Sequence, residues 1–583
     1  MKIHAQLFLF VVFTMSVIHA NDAVDIQNIT TSQILPIAKI EYTTDQLFNN
    51  KSEGKKALFP NYENQLCSNQ LLPAQLIKDI HVRKTPTIDP ESFVPSANHT
   101  FYDFSQMEPD RAPQNIGLNF TALNSAQSTF PIAIPPDTML GVGPTQIMVT
   151  LNNGIVTYNK TTGLRDNIIE STLPAMANVF KFQFLGTVSS LEAGDPRIRY
   201  DRFTDRWFFV CISATFLILP EDIPVYLPNA IIIVLSDTGI ITKSTKWTSY
   251  IFQQADIFPP AEPLSFADYP TLGIDANALY IGTNMYIGEA GVTASLFVFP
   301  KAGLISGAPV GTAFRGWPVC TPQGVDNFDS APTNGFFIAT PIATGLSVEP
   351  VANTLFLFII SNPGTTPFLS GVIPIVVDAW TAPPLGAPHK DNFQEPNGRV
   401  IAGDGRLYMA HIRNNQLFTT HTIGVDSTGS SLPIPPPDRT ALRWYQIDVS
   451  NPLLPSVVQQ GTFFDSALIN PRFFYYPAIM TNVRGDMSLS CSTSAADQFI
   501  DALTMGRMAF DPPNTLRPPV FLTNTPFSYN FVTVASDILG FQRWGDYSYT
   551  ALDPSDDMTM WTAQEFCAGT DNAGIRIAQL LAP

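Results

Sequence analysis

Four arginines begin strand-like segments and suggest the most definite chemistry in this sequence. They are Arg197, Arg399, Arg472 and Arg543. A guanidinium holds a carboxylate through two parallel hydrogen bonds, so arginines directed at one point form a site for an acidic sugar. An enzyme of that kind also needs a tyrosine activated by a carboxylate and an acid for proton transfer. We treat the four arginines and the adjacent Trp544 as candidate ligand-binding residues and assign no catalytic residue.

Four aspartates recur at comparable places along the chain. They are Asp137, Asp195, Asp268 and Asp546. As structural residues, they accept hydrogen bonds from backbone N–H groups in the turn that follows each of them. As functional residues, converging carboxylates hold Ca²⁺ through oxygen ligands. Because the aspartate is repeated from unit to unit, we predict a structural motif and no bound metal or cofactor, with Ca²⁺ as the alternative.

The usual signatures of several enzyme classes are missing from the sequence. It contains no Gly-x-Ser-x-Gly elbow, no His-Glu-x-x-His pair and no glycine-rich phosphate loop between a strand and a helix. The five cysteines are far apart and lack the close pairs of structural zinc sites. Serine hydrolase, zinc hydrolase, kinase and dinucleotide chemistries are therefore disfavoured.

The charge balance narrows the choice of partners. The formal net charge is −17, which disfavours nucleic acid and anionic membrane surfaces. A glycan or a cell-surface protein remains compatible with this charge, and we expect a monomer. Only 14% of the residues are charged while 45% are hydrophobic, which indicates a folded chain with a large core.

The N-terminal region differs from the rest of the chain. Residues 1–20 combine Lys2, an apolar run and a small residue at Ala20, which is the pattern of a secretory signal peptide. The apolar run is shorter than the roughly 20 residues that span a bilayer. We expect a secreted product, extracellular or periplasmic, without a transmembrane segment. Residues 21–97 are polar, lack sustained alternation and are predicted to form a partly irregular extension.

From about residue 98 onward, the elements that would position the arginines and aspartates are short strands joined by polar turns. The phrase Asp268-Tyr269-x-x-x-x-Ile274-Asp275 returns as Asp546-Tyr547-x-x-x-x-Leu552-Asp553. Related segments begin near residues 137, 195, 329, 397 and 476, which gives seven units spaced 58 to 79 residues apart. Each unit is long enough for one four-stranded sheet.

Repeated antiparallel sheets of this size are typical of a β-propeller. We predict an all-β fold with seven four-stranded blades over residues 98–583. The last unit has only 38 residues counted from Asp546, so a strand within residues 98–125 is predicted to complete the last blade and close the ring. A pair of β-sandwich domains is the rival architecture.

Seven phrases in order resemble a group of secreted bacterial β-propeller proteins of sialidase-like architecture. They are "PPDTMLGVGPTQ", "DPRIRYDRFTDRWFFV", "VLSDTGIITKSTKWTSYIF", "ADYPTLGIDANALYI", "LRWYQID", "VVQQGTF" and "QRWGDYSYTALDPSDDMTMWTAQEF". The resemblance covers about residues 125–583 and implies the propeller fold. The group has no agreed catalytic residues, so no activity follows from it, and Met139-Leu140 depart from its more polar pattern.

Together these observations predict an exported β-propeller that acts as a binding or scaffold module at or outside the cell surface. A sialidase-like glycoside hydrolase or lyase with an arginine-lined central site is the first alternative. A host-directed secreted factor that binds through loops 213–230, 250–266 and 422–440 is the second. Within the candidate site, Arg543 and Trp544 stand out because the other units do not share them.

Overall fold

The computed structural model describes most of the chain after residue 113 and short pieces before it. The described residues are 30–45, 55–58, 81–82, 100–102, 114–124, 134–152, 154–171, 183–184, 187–188, 191–218, 224–226, 229–254, 266–286, 292–341, 352–391, 398–531 and 541–582. The predicted signal peptide and most of residues 21–97 lie outside these ranges. Within them, no helix is both long and apolar enough to cross a membrane.

The fold is a seven-bladed β-propeller, as the sequence predicts. From the inner to the outer strand, blade 1 contains Met139–Val142, Gln146–Leu151, Gly154–Asn159 and Arg165–Ser171. Blade 2 contains Leu191–Asp201, Arg206–Ile218, Ala230–Ser236 and Lys246–Gln253. Blade 3 contains Phe266–Asp268 with Gly273–Ile274, then Ala278–Tyr286, Val292–Pro300 and Gly311–Trp317. Blade 4 contains Val319–Gly324, Asn334–Pro341, Ala352–Ser361 and Phe368–Trp380.

The remaining blades follow the same antiparallel order. Blade 5 contains Leu407–Arg413, Gln416–Val425, Arg439–Asp448 and Ser456–Asp465. Blade 6 contains Phe473–Thr481, Met487–Ala495, Gln498–Arg507 and Arg517–Phe521. Blade 7 contains Tyr549–Leu552, Met560–Gly569 and Asn572–Leu581 from the end of the chain, and its outer strand is Asn115–Asn124. The strand from residues 98–125 therefore joins the last blade and closes the ring.

Shorter elements decorate the blades. Small strand pairs are Gln183–Phe184 with Thr187–Val188, and Gly386–Ala387 with Val400–Ile401. Pro224–Tyr226 pairs with the second strand of blade 2. Asp326–Asn327 runs parallel to the inner strand of blade 5. One short helix, Lys301–Ser306, is present in the described ranges and ends at Gly307, whose φ of 91° suits glycine.

The N-terminal extension and the residues just after it contribute outer strands to several blades. Thr30–Ile34 pairs with the edge of blade 3, and Pro36–Thr43 pairs with the edge of blade 2 and with Lys55–Leu58. His81–Val82 runs parallel to the edge of blade 4, and Thr100–Tyr102 runs parallel to the edge of blade 5. We call these segments the outer belt. Because an unpaired edge strand exposes free N–H and C=O groups, the belt protects the blades it covers.

The blades pack face to face, so their middle strands are apolar on both sides. The third strand of blade 2, Ala230–Ser236, is buried at every residue. This explains why its sequence is a continuous apolar run rather than an alternation. Trp207, which is fully buried, packs against Gly141 and Gly143 of blade 1, where an added Cβ would collide with the indole. Aromatic side chains thus fill the wedges between blades.

A buried ion pair lies on the propeller axis. The Arg199 guanidinium is 2.9 Å from the Asp326 carboxylate and 3.9 Å from the centre of the Tyr549 ring. Asp326 also accepts hydrogen bonds from the Tyr549 hydroxyl (2.6 Å) and the Ile274 N–H (3.0 Å). Arg199 donates to the Leu272 carbonyl (2.6 Å). This axial pair joins blades 2, 3 and 7 to the connection between the first two strands of blade 4, which also pairs with the inner strand of blade 5.

Further ion pairs lie at the end of the channel opposite to the end where the inner strands begin. Asp557 of blade 7 pairs with Arg202 of blade 2 (2.5 Å) and Arg413 of blade 5 (2.6 Å). Lys301 and Asp201 form a buried pair between blades 3 and 2 (2.6 Å). These contacts span the ring between non-adjacent as well as adjacent blades.

Removal of Asp326 is expected to destabilise the whole ring. Replacing it by alanine leaves the Arg199 charge buried without a counter-ion, so Asp326→Ala should lower the free energy of unfolding by about 3–5 kcal/mol in urea titrations. Asp497→Ala, at an exposed loop position, is the control and should change stability by less than about 0.5 kcal/mol. An equal, small effect for both variants would contradict the axial role of Asp326.

Candidate functional site

Each blade carries a residue with left-handed backbone conformation just before or within its inner strand. In order from blade 1 to blade 7, these residues are Asp137, Asp195, Tyr269, Thr321, Gly403, Tyr476 and Gly545, with φ between 45° and 88°. Glycine and aspartate adopt this conformation at low cost, whereas the two tyrosines are held in it by packing. Because all seven inner strands begin at the same end of the channel, these positions form a ring there.

The aspartates of this ring connect different blades. The Asp137 carboxylate accepts the Asp546 N–H (2.9 Å), which joins blade 1 to blade 7. The Asp195 carboxylate accepts the Tyr269 N–H (3.0 Å), which joins blade 2 to blade 3. Their donors lie on neighbouring blades, whereas the sequence suggested donors in the turn following each aspartate. Part of the role of Asp137 and Asp195 is thus to hold the ring closed.

Aromatic rings and one buried guanidinium form the floor beneath the aspartates. Arg197 lies 3.4 Å from the centre of the Tyr547 ring and 5.1 Å from that of Tyr269, and its Nε donates to the Pro270 carbonyl. The two tyrosine rings meet edge to face. The Tyr269 hydroxyl donates to the Asp546 carbonyl (3.1 Å). The floor is therefore tightly packed and fixed by contacts among blades 2, 3 and 7.

Two ion pairs lie at the rim above this floor. Arg543 pairs with Asp546 (2.9 Å), and both side chains are partly exposed. Arg406 pairs with Asp404, and its guanidinium is 4.3 Å from the centre of the Tyr269 ring. We use the term acidic mouth for the site formed by Asp137, Asp195, Asp268, Asp404 and Asp546 with Arg406, Arg543, Tyr269 and Tyr476.

The carboxylates of the acidic mouth repel one another. Burial, together with Asp546 and Asp195, holds the pKa of Asp137 well above its usual range. Burial and the charge of Asp546 raise the pKa of Asp195. Burial and the charge of Asp195 raise the pKa of Asp268 to about 7. Although burial alone would raise it, the pKa of Asp404 is lowered by its partner Arg406. Negative charge at the mouth is thus only partly compensated.

A buried tyrosine hydroxyl lies behind the rim. The Tyr476 ring packs against Gly545, where an added Cβ would come within 2.3 Å of it. Its Oη atom is buried and has no hydrogen-bond partner among the described residues. The charges of Asp546, Arg543 and Asp404 all act on this hydroxyl. It is therefore a polar group close to the charged part of the mouth.

The structure does not bring the four predicted arginines together. Arg197 and Arg543 belong to the mouth, but Arg472 lies against the Phe521 ring of blade 6 (4.8 Å), near Asp465 and Asp501. Arg399 precedes Val400–Ile401, and its carbonyl accepts the Gln542 N–H (2.8 Å). From its position in the sequence, Arg472 is predicted to face the channel axis. It does not join the mouth, because the inner strand of its blade already begins at Phe473, before the left-handed residue Tyr476.

Trp544 supports the mouth from the interior. Its side chain is fully buried, its Nε1 donates to the Ser492 hydroxyl (3.2 Å), and its ring meets Tyr529 edge to face (4.9 Å). The indole therefore lies in the core and not at the surface of the mouth, and ligand binding by Trp544 stays a prediction. The reason is local: the neighbouring Arg543 faces the mouth, and the indole packs into the core.

Two important residues of the mouth, Asp404 and Arg406, were absent from the candidates chosen by sequence. The signal that identifies them is the pair Gly403-Asp404, which repeats Gly545-Asp546 and lies next to a left-handed glycine. The fourth unit was also placed too late. Its inner strand is Val319–Gly324, ahead of Asp329, because this blade has Thr321 at the left-handed position, where the other blades have an aspartate, a tyrosine or a glycine.

The described residues show neither a clustered metal site nor a disulfide. The described residues contain no group of three His, Cys, Asp or Glu side chains spaced to hold a metal ion, and Ca²⁺ binding stays a prediction. Cys211, Cys320, Cys491 and Cys567 are free thiols. Burial raises the pKa of Cys320, which opposes its use as a nucleophile near Arg406.

Comparisons with known proteins give structural neighbours alone. No family model matches the chain, and no curated protein matches it. A Dyadobacter fermentans protein of unknown function is 8% identical, with a TM-score of 0.33, covering 67% of this chain and 95% of that one. Trypanosoma rangeli sialidase in complex with the inhibitor DANA is 11% identical, with a TM-score of 0.30, covering 68% of this chain and 57% of that one.

The high pKa of Asp268 predicts a specific pH dependence of stability. Its folded pKa of about 7 exceeds its ordinary value of 3.8, so the folded state binds more protons between these pH values, and its contribution to stability falls as the pH rises through this window. Asp268→Asn should therefore gain stability relative to the parent protein, by about 1 kcal/mol, on going from about pH 5 to about pH 8.

The measurement is the urea midpoint of both proteins at the two pH values. Asp497→Asn, at an exposed position on the same face, serves as the control and should run parallel to the parent protein. A constant stability difference between Asp268→Asn and the parent protein at both pH values would show that Asp268 has an ordinary pKa.

Proposed function

We propose that this protein is an exported, monomeric binding module of bacterial origin whose acidic mouth takes up a ligand that carries a protonated amine. One observation carries the proposal: aspartates from blades 1, 2, 3, 5 and 7 meet at one end of the channel. Export of the protein is supported by the signal-peptide-like pattern of residues 1–20. The resemblance to secreted bacterial propellers supports the assignment outside the cytoplasm.

The charges around the channel favour a cation over an anion. Arg543 and Arg406 are each neutralised by an aspartate at the rim. Arg197 is enclosed between tyrosine rings below them. Asp137, Asp195 and Asp268 then remain as a group whose pKa values are raised by burial first and then by the charges of neighbouring aspartates, Asp546 among them. An ammonium group placed among them relieves this repulsion, which provides a binding energy that a carboxylate ligand does not obtain.

The ligand class that fits best is an amino sugar on a surface glycan. Carboxylate oxygens accept hydrogen bonds from hydroxyl groups as well as from an ammonium group. The Tyr476 hydroxyl adds a buried polar group near the rim. Loops that carry ligand contacts on a rigid ring are typical of binding propellers. An amino sugar combines the positive charge and the hydroxyl groups that these features recognise.

Sialidase-like hydrolysis is the alternative function, and one feature favours it. Arg197 and Arg406 lie near Tyr269, and Arg543 pairs with Asp546, whose carbonyl accepts the Tyr269 hydroxyl; this set resembles the required arginines and tyrosine. Two properties oppose it. Each guanidinium already contacts a protein carboxylate, carbonyl or aromatic ring. Burial also raises the pKa of Tyr269 above its usual value, so this hydroxyl is a poor nucleophile.

Binding of an amino sugar is tested with two matched trisaccharides. Chitotriose carries protonated amines, and tri-N-acetylchitotriose has the same scaffold without the charge. We expect chitotriose to bind at least tenfold more tightly in isothermal titration calorimetry at about pH 7.5, since the carboxylates attract the ammonium groups. The affinity should fall at about pH 5, where Asp268 is protonated.

Two variants test whether chitotriose binds at the acidic mouth. Asp268→Asn should weaken chitotriose binding about tenfold or more, while Asp497→Asn, which changes the total charge equally, should leave it unchanged. Equal affinity for the charged and neutral trisaccharides would overturn the proposed ligand class. Equal loss in both variants would show attraction to the overall negative charge of the protein rather than to the mouth.

Hydrolytic activity is tested with a fluorogenic sialoside. We expect no turnover of 4-methylumbelliferyl sialic acid above that of heat-denatured protein, because the arginines are already engaged by other groups. Arg406→Ala is the informative variant, since Arg406 faces both Tyr269 and Asp404. Turnover that disappears in Arg406→Ala would replace the binding function by the hydrolase.

A further inference from the structure

A groove at the outer part of the ring, between blades 6 and 7, has a different chemistry from the acidic mouth. Its volume is about 440 Å³, which lies within the range of small-molecule sites. Phe521, Phe527 and Phe566 provide apolar walls, and the Arg576 side chain provides a cation. The groove is formed by the end of the outer strand of blade 6 and by the middle strands of blade 7.

Arg576 is held in place by neutral groups. Its Nε donates to the Asn119 side-chain oxygen (2.7 Å), one Nη to the Thr121 hydroxyl (3.2 Å), and the other Nη to the Asn119 carbonyl (3.0 Å). The Asn119 amide in turn donates to the Leu522 carbonyl of blade 6 (3.1 Å). These bonds fix the plane of the guanidinium and use three of its five N–H groups.

The charge of Arg576 lacks an acidic partner among the described residues. The described ion pairs of the protein do not include it, and half-burial lowers its pKa without any opposing carboxylate. The nearest part of blade 6 carries Asp501, but that carboxylate accepts hydrogen bonds from the Thr523 hydroxyl (2.6 Å) and the Thr525 N–H (2.9 Å). In a protein with a net charge of −17, an uncompensated, partly buried cation is unusual.

We propose that this groove binds a small organic acid, with the carboxylate on Arg576 and an aromatic or aliphatic body between Phe521, Phe527 and Phe566. The two remaining N–H groups of the guanidinium supply a charge-assisted contact to the carboxylate. The phenylalanine rings remove the apolar body from water. This anion site is separate from the acidic mouth, which repels carboxylates, and it does not depend on the function proposed there.

The test uses 4-phenylbutyrate and its neutral analogue 4-phenylbutanamide. Both have the same phenyl and alkyl parts, so their difference reports the carboxylate alone. We expect the acid to bind the complete protein at least tenfold more tightly than the amide in isothermal titration calorimetry at about pH 7.5. Equal binding of the two compounds, or no binding of the acid, would overturn the proposal.

Three variants separate the groove from general effects. Arg576→Gln should abolish the preference for the acid. Phe527→Ala, at a position that is 39% exposed, should weaken binding of both compounds several-fold. Phe510→Ala, at a phenylalanine that is 79% exposed and outside the groove, is the matched control and should bind normally.

Arg576→Gln also removes the hydrogen bonds to Asn119 and Thr121, so its effect on folding is measured separately. The thermal midpoint of each variant is recorded. Phe527→Ala does not touch these hydrogen bonds and tests the groove even where Arg576→Gln unfolds. Unchanged affinity in Phe527→Ala, or a retained preference for the acid in folded Arg576→Gln, would place the acid elsewhere.

Discussion

The ion pair between Arg199 and Asp326 is the constraint on which the rest of the propeller depends. It lies at the axis, where blades 2, 3 and 7 meet the connection between the first two strands of blade 4. A charge at that depth is tolerated only with its partner and its hydrogen bonds in place. The pair therefore constrains how the blades are arranged around the axis. Arg197 lies two residues before Arg199 on the same strand, and Tyr547 lies two residues before Tyr549, which begins its strand, so the positions of Arg197 and Tyr547 are tied to the pair.

The acidic mouth shows that structural and functional interpretations of a repeated residue are compatible. Asp137 and Asp195 hold neighbouring blades through backbone N–H groups, which agrees with a structural motif. The same geometry gathers their carboxylates close enough to raise their pKa values. An aspartate that recurs in several blades at the axis lies close to the equivalent aspartates of the other blades. The hydrogen bonds that close the ring therefore also bring carboxylates together into an electrostatic site.

Much of this architecture was predictable because it is local in sequence. The recurring Asp-Tyr phrase and the strand-turn-strand pattern give the seven blades. Blade 4 was misplaced because Thr321 occupies the position of the expected aspartate. The axial contact of Arg199 and the position of Arg472 away from the mouth depend on contacts between blades that are distant in sequence. No local sequence pattern predicts such contacts. The pairing of Arg576 with neutral groups likewise arises from strands far apart in the chain.

The strand Asn115–Asn124 has a consequence for the order in which the molecule is completed. Asn119 and Arg576, which are hydrogen-bonded across the closing strands, are 457 residues apart. During synthesis, the early strand emerges long before its partner and must wait with one side unpaired. The ring thus remains open until the last blade has been made, and contacts of such long range slow folding. Early binding of the outer belt to blades 2 and 3 would keep the N-terminal segment near the growing ring during this delay.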